Sequence, residues 1–157
     1  MIRSRSKNGA KKPHGANLQR ASRLKQSHNT MPGQPTLPQP NRSEIWFVKF
    51  PSDPPEKNPR PVVIVSVDAR NQHPRAETVL AVPLSTTLRD SPTHIRLQRG
   101  ETGLAEACDI QAETISTIRK QTLQPSRTVL RKLSESTLRE IARCVVRAIG
   151  FVPNDIG

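Results

Sequence analysis

Pro59-Arg60-Pro61-Val62-Val63-Ile64-Val65-Ser66 is the stretch of sequence that decides the fold. Residues 62–67 are nearly all β-branched, which is typical of a strand buried on both faces. Residues 51–59, just before it, contain four prolines and predict a loop rather than a strand or a helix. Arg60 therefore lies at the start of a buried strand, and the prolines on both sides of it restrict its backbone.

Other β segments are predicted around this strand. They are strands at residues 44–50, 78–84 and 94–97, and a broken β-like segment at residues 107–118. Residues 68–77 are a polar connection, and Pro83 places the end of its strand at an edge or a bulge. Five or so short strands in about 110 residues indicate a small open barrel or half-barrel.

One helix is predicted, over residues 135–149. Ser134 is a good N-cap, Leu133 and Leu138 can form a hydrophobic staple across it, and Gly150 stands where a left-handed C-cap would fall. The apolar stripe predicted to face the core consists of Leu138, Ile141, Ala142, Val145 and Ile149.

The positive charge is concentrated in residues 1–42. This segment holds nine Lys and Arg and no Asp or Glu, so it carries +9 of the formal net charge of +12. It is also poor in large apolar residues, which predicts a disordered basic tail. The tail either raises non-specific affinity for nucleic acid or is a solubilising extension, and Met31 is an alternative first residue. A folded domain is predicted over residues 43–152, followed by a short C-terminal tail over residues 153–157.

Several features that the sequence lacks narrow the class of protein. No window approaches the roughly 18 apolar residues that a membrane span needs, and the basic N terminus lacks the apolar stretch of a secretory signal. Cys108 and Cys144 are too few for a disulfide framework, so buried thiols in a reducing cytoplasm are predicted. No His, Asp and Glu cluster has ligand spacing, and neither a metal nor a cofactor is expected.

Six segments, in order and at similar spacings, resemble the MazF/PemK family of type II toxin-antitoxin toxins. Residues 43–48 (SEIWFV) resemble the family's opening Gly-Glu-Ile-Trp strand, and residues 59–66 resemble its Arg-Pro-Val strand. The other segments are residues 81–86 (AVPLST), 92–95 (PTHI), 113–118 (ETISTI) and 133–150. The resemblance covers essentially the whole folded part. It implies a mainly β fold with a C-terminal helix, in the form of a small SH3-like or CcdB-like β-barrel.

The resemblance also implies a function. The family cleaves single-stranded RNA without a metal: the 2′-hydroxyl attacks the adjacent phosphate and leaves a 2′,3′-cyclic phosphate and a free 5′-hydroxyl. A homodimer is implied, with a cognate antitoxin protein whose segment occupies the RNA groove and an indirect association with DNA through that antitoxin. The alternative is a non-catalytic member of the same fold that binds nucleic acid or poisons a protein target such as a topoisomerase.

Arg60, Ser85 and Thr86 match the family's catalytic positions. A guanidinium donates two hydrogen bonds to phosphate oxygens and stays charged, so we favour electrostatic stabilisation by Arg60 over general acid–base catalysis. Ser85 stands where the family has threonine. Its hydroxyl could donate to a non-bridging oxygen or orient the attacking 2′-hydroxyl, and an ordinary turn after a strand is the alternative.

Four further residues are predicted to contact RNA: Trp46, Lys57, Thr114 and Ser116. Trp46 could stack on a base, although a small barrel also needs core aromatics. Thr114 and Ser116 replace Gln and Arg of the family's Gln-Ile-Arg-Thr stretch, which leaves substrate preference and activity open. Histidine titrates near neutrality and His94 could be a general base, but we favour a role in orienting a strand end or a subunit contact.

Overall fold

The structure is a computed structural model and describes residues 37–126 and 132–152. Its elements are β1 (Ile45–Val48), β2 (Arg60–Ile64), α1 (Asp68–Asn71), β3 (Thr78–Ser85), β4 (His94–Leu97), β5 (Cys108–Gln111), β6 (Ser116–Arg119) and α2 (Glu135–Ala148). The prediction of a mainly β chain with a C-terminal helix is confirmed. The single helical turn α1 was not predicted, because it lies in the segment that the sequence indicated only as a polar connection.

The six strands form an antiparallel sheet with β3 at its centre. β2 lies on one side of β3, and β1 pairs with the outer side of β2. On the other side, β6 pairs with residues 78–81 of β3 and β5 pairs with residues 84–85, while β4 pairs with β5. Pro83 lies between the part of β3 that pairs with β6 and the part that pairs with β5. Its missing N–H therefore falls between the two pairings.

The chain also covers the outer edge of β1. The N–H of Phe47 donates to the carbonyl of Gln124 at 2.9 Å, and the N–H of Gln124 donates back at 2.8 Å. Since β6 lies at the opposite side of the sheet, the residues after β6 connect one edge to the other. This closure satisfies an edge that would otherwise be open to pairing, and it produces the small, partly closed barrel that the strand pattern predicted.

Two hydrophobic clusters lie on opposite faces of β2 and β3. Val63 belongs to the cluster beneath α2, whereas Val62 and Ile64 belong to the second cluster. All three side chains are fully buried, which confirms that this strand is buried on both faces. Each such side chain contributes about 1.5–3 kcal/mol on burial. The buried stretch ends before Val67, which is 56% exposed because the chain has turned towards α1.

Both predicted caps of α2 are present. The Ser134 side chain accepts a hydrogen bond from the N–H of Thr137 at 3.1 Å. At the other end Gly150 has a φ of +90°. The N–H of Gly150 donates to Arg147 O at 3.0 Å and the N–H of Phe151 donates to Val146 O at 3.1 Å, which is the Schellman pattern.

The predicted apolar stripe of α2 was wrong in two members. Leu138, Ile141 and Cys144 are buried, whereas Ala142 is exposed and Ile149 is 64% exposed. Compared with the prediction, the helix is rotated about its axis. The residues that face the core are Leu138, Ile141 and Cys144, at three-residue spacing. Cys144 thus takes the place expected for Ala142, and Ile149 lies beyond the last turn that packs on the sheet.

Residues 37–42, which the sequence assigned to the basic tail, contact the folded domain. Pro40 is buried, and the side-chain amide of Gln72 donates to its carbonyl at 3.2 Å. The N–H of Arg42 donates to the Asp68 carboxylate at 2.6 Å. The rest of the predicted disordered tail, residues 1–36, and the predicted C-terminal tail, residues 153–157, lie outside the described residues. Within the described ranges, no helix has the length and apolarity to span a bilayer.

Candidate functional site

The start of β2 and the end of β3 meet at one end of the sheet, because the two strands are antiparallel. Arg60 is the first residue of β2, and Ser85 is the last residue of β3. The register pairs Val62 with Pro83, so Arg60 and Ser85 lie at the same end of these two strands. The fold therefore brings together two predicted site positions that are distant in the sequence.

Both residues line an open groove of about 880 Å³. Its walls are residues 56–61 of the loop before β2, residues 84–87 at the end of β3, residues 104–106 and 108 before and within β5, and Phe47 of β1. Thr86 and Lys57 therefore line the same groove. Glu56 and Glu106 also line the groove, so its lining residues carry charges of both signs.

Arg60 is held by an aspartate that the sequence did not point to. One terminal amine of Arg60 donates to Asp53 Oδ1, and Lys57 Nζ lies 3.2 Å from the same oxygen. The Asp53 side chain is 2% exposed and the Arg60 side chain 41% exposed. The guanidinium carbon lies 5.8 Å from the centre of the Phe50 ring, within cation–π range. Arg60 is thus fixed on one side and reaches the groove on the other.

The charge state of Asp53 follows from these contacts. Burial acts to raise the pKa of its carboxyl, but hydrogen bonds from Arg60 and Lys57 and the positive charge of both outweigh it, so that the pKa is lowered. Asp53 is therefore ionised at neutral pH, and it keeps a negative charge directly behind the guanidinium.

Ser85 and Thr86 provide the hydroxyls of the groove. Ser85 is half-buried, and its Oγ accepts a hydrogen bond from the N–H of Thr87 at 3.1 Å. This is the ordinary turn that was the alternative to a functional role. The accepted bond uses a lone pair and leaves the O–H as a donor, so the turn fixes the position of the hydroxyl. Thr86 is exposed beside it.

The structure does not bring Trp46, Thr114 or Ser116 into this groove. Trp46 is half-buried and packs on the second hydrophobic cluster, and its ring N–H donates to Glu44 at 3.1 Å. The hydroxyls of Thr114 and Ser116 each donate at 2.7 Å to a nearby backbone carbonyl, that of Gln111 and of Thr114 respectively. These three residues are not among the described residues that line the groove.

His94 lies in a separate network on the other side of β5. Its Nε2 is 2.7 Å from Glu113 Oε1, and its Nδ1 is 3.2 Å from Arg89 O and 3.7 Å from Asp109 Oδ2. Both ring nitrogens face acceptors, and the side chain is 8% exposed. These contacts connect β4 with β5 and with the turn after it, and an orienting role for His94 stays a prediction.

Asp109 is the centre of that network. Its carboxylate accepts from Arg96 Nε at 2.9 Å, from Arg96 Nη2 at 3.2 Å and from the N–H of Arg89 at 2.6 Å. Hydrogen bonding from Arg96 is the main cause of its lowered pKa, and burial opposes the shift. Asp109 also pairs with Ser85 across β5 and β3, so the network and the groove are neighbours on the sheet.

The two cysteines are buried thiols, as predicted. Cys108 reaches the wall of the groove. Burial, with the negative charges of Asp109 and Glu101, raises its pKa to about 11. It is therefore a neutral thiol and a poor nucleophile at neutral pH. In the part of the chain that the structure describes, no three His, Cys, Asp or Glu side chains gather to hold a metal ion.

The fold and the groove define a small barrel protein with an open groove. Arginine, lysine and hydroxyl side chains line this groove, and side chains of these types can bind phosphate. A sequence profile of PemK-like, MazF-like toxins of type II toxin-antitoxin systems matches residues 41–149. The chain belongs to this family.

Solved structures agree with this assignment. An endoribonuclease from a mycobacterial species, in complex with its cognate antitoxin, is 27% identical with a TM-score of 0.56, over 71% of this chain and 96% of that chain. A second mycobacterial endoribonuclease is 26% identical with a TM-score of 0.56, over 74% and 96%. MazF from Deinococcus radiodurans, 17% identical with a TM-score of 0.55 over 71% and 97%, shares the fold. No curated protein gave a significant match.

Proposed function

We propose that this chain is the toxin of a type II toxin-antitoxin system and that it cleaves single-stranded RNA at the groove between β2 and β3. The observation that carries the proposal is the groove that Arg60, Ser85 and Thr86 line together. Mycobacterial relatives with the same fold are described as endoribonucleases. The groove is open, as an extended polymer requires.

The reaction that fits these residues is an internal phosphoryl transfer. The 2′-oxygen forms a bond to phosphorus while the bond to the 5′-oxygen breaks. One proton leaves the 2′-hydroxyl and one is delivered to the departing oxygen. The products are a 2′,3′-cyclic phosphate and a 5′-hydroxyl, and no metal takes part.

Arg60 stabilises the phosphate as its negative charge increases. A guanidinium has five N–H donors, and Asp53 occupies one terminal amine, so donors remain for phosphate oxygens. Preorganised donors of this kind contribute several kcal/mol to a transition state. The permanent charge of arginine favours electrostatic stabilisation over proton transfer.

Ser85 and Thr86 donate hydrogen bonds to the reacting groups. Because the N–H of Thr87 fixes Ser85 Oγ, this O–H can serve a non-bridging oxygen or orient the 2′-hydroxyl with little loss of entropy. Lys57 adds a point charge for the neighbouring phosphate. Trp46, Thr114 and Ser116 remain proposed RNA contacts, at positions outside this groove.

We further propose that the active form is a cytoplasmic homodimer that a cognate antitoxin inhibits by occupying the groove, and that any association with DNA runs through the antitoxin. A mycobacterial relative was solved with its antitoxin, as was MazF from Deinococcus radiodurans. Acidic antitoxin side chains would compete with phosphate for Arg60 and Lys57.

The test is cleavage of a mixed-sequence single-stranded RNA by the full chain in excess EDTA. We expect fragments whose 5′ ends accept phosphate from a polynucleotide kinase without prior dephosphorylation, and whose 3′ ends are cyclic phosphates. The double variant Arg60→Ala, Ser85→Ala should produce none of them. RNA that stays intact, or fragments with 5′-phosphates, would overturn the proposal. RNA binding without cleavage would favour the non-catalytic alternative.

A further inference from the structure

Asp53 is a buried carboxylate in an otherwise exposed, proline-rich loop. Its side chain is 2% exposed, although residues 51, 52 and 54–58 around it are all exposed. Its only described polar partners are Arg60 and Lys57, which both approach Oδ1. Within the part of the chain that the structure describes, Asp53 Oδ2 and Arg60 Nε are buried without a hydrogen-bond partner.

The loop itself holds this carboxylate in place. The N–H of Asp53 donates to Phe50 O at 3.0 Å, and the N–H of Lys57 donates to Pro54 O at 3.0 Å. Phe50 packs on the second hydrophobic cluster, and its ring lies under the guanidinium. Two turns and an aromatic anchor therefore fix Asp53 relative to β2. The prolines at positions 51, 54 and 55 restrict the loop further.

We propose that Asp53 is the positioning residue for Arg60. It holds one terminal amine of the guanidinium, so that the other terminal amine is directed to the groove that Ser85 and Thr86 also line. Asp53 does not touch RNA, and it acts through Arg60 alone. This inference rests on the proposed function, because a phosphate in the groove is what the oriented fork would receive.

The unpaired oxygen of Asp53, Oδ2, distinguishes a positioning role from a purely structural one. A buried carboxylate with one oxygen unpaired lowers the stability of the fold. Asp109, by comparison, has donors on both oxygens. Because Arg60 is half-exposed and water can solvate it, loss of Asp53 should leave the melting temperature nearly unchanged. Loss of a structural ion pair would lower the melting temperature together with the activity.

The first experiment compares Asp53→Ala, Asp53→Asn and wild type for kcat and KM on single-stranded RNA. A misplaced catalytic group can lower the rate about 100-fold, so we expect a fall in kcat of that order for Asp53→Ala with little change in KM. Asp53→Asn keeps an oxygen that can accept from Arg60, and it should recover most of the loss. Asp90→Asn is the control, since Asp90 is an exposed partner of Arg96 at 3.5 Å and should behave as wild type.

The second experiment needs no RNA. Rotation of the Arg60 guanidinium is followed by nitrogen NMR in the full chain, with Arg60→Lys to assign the signal. Slow rotation in wild type and fast rotation in Asp53→Ala would support the positioning role, even if wild type cut no RNA and the proposed function failed. Equal rotation in both proteins, or a kcat for Asp53→Ala equal to that of wild type, would overturn it.

Discussion

Arg60 and Arg96 form two arginine–aspartate pairs that burial does not distinguish. The arginines are 41% and 38% exposed, and their partners Asp53 and Asp109 are 2% and 1% exposed. The pairs differ in how completely they are bonded. Arg96 gives two nitrogens to Asp109, which also accepts from the backbone. Arg60 gives one amine to an oxygen that it shares with Lys57.

The difference has a consequence for the role of each pair. A bidentate pair with satisfied oxygens is a stable connection between strands. A pair with one shared oxygen holds its arginine in place while other donors remain available. Charge and burial therefore do not distinguish the two arginines, whereas the hydrogen bonds of their aspartate partners do.

Ser85→Ala tests the groove side of this comparison and has the largest expected effect. Removing a preorganised donor lowers kcat about 100- to 1,000-fold, while the melting temperature should stay close to that of wild type. Ser85→Thr keeps the hydroxyl and should retain most of the activity. Initial rates on single-stranded RNA give the answer, and full activity in Ser85→Ala would remove this residue from the mechanism.

Asp109→Asn tests the network side. The Asp109 side chain is 1% exposed, so an amide in its place would bury an NH₂ group facing the donors of Arg96 and the N–H of Arg89, and a buried polar group left unpaired costs about 2 kcal/mol in unfolding free energy. Urea denaturation measures this loss. Glu140→Gln is the control, because the side chains of the Glu140–Arg143 pair on α2 are 43% and 58% exposed. If both variants were equally stable, Asp109 would not be a structural centre.

The network should also make the fold sensitive to acid. Folding lowers the pKa of Asp109, mainly through Arg96. Its contribution is therefore complete at pH values above the ordinary aspartate pKa of about 4 and is lost as the pH falls through the lower folded value. We expect the difference in melting temperature between wild type and Asp109→Asn to be full near neutrality and to shrink below about pH 4. A difference that stays constant in acid would contradict this account.

Gly150→Ala has the smallest expected effect and lies outside both pairs. Gly150 has a φ of +90°, and no atom lies within 4 Å of the position that a Cβ would take. Only the backbone conformation is penalised, by about 1 kcal/mol. Denaturation should show this loss with unchanged cleavage. Reduced cleavage at full folding would mean that the end of α2 belongs to the site.

Much of the fold could be predicted from local pattern. The β-branched run indicated β2, alternation indicated β4, and cap residues indicated α2, because each of these signals depends on neighbouring residues. The rotation of α2 could not be predicted, since the choice of Cys144 over Ala142 depends on the sheet beneath it. The early end of β2 depends on tertiary contacts too, because the Ser66 hydroxyl accepts from the N–H of Leu80.

The candidate site, like the fold, could be predicted only in part from the sequence. Arg60, Ser85 and Thr86 could be placed from family motifs, and they line one groove together with Lys57. The contact of Asp53 with Arg60 could not be predicted, because a proline-rich loop has no periodic pattern from which its path can be derived. The sequence shows only that this loop contains acidic residues. The hydroxyls of Thr114 and Ser116 are used by local backbone carbonyls, which residue type alone does not reveal.

The most direct test of the central claim is to measure cleavage of the same single-stranded RNA by Arg60→Ala and Arg96→Ala, in EDTA and below the melting temperature of both variants. We expect Arg60→Ala to lose at least about 100-fold in kcat. Arg96→Ala should cut like wild type and melt at a lower temperature. Equal losses of activity in the two variants, or a larger loss in Arg96→Ala, would contradict the central claim.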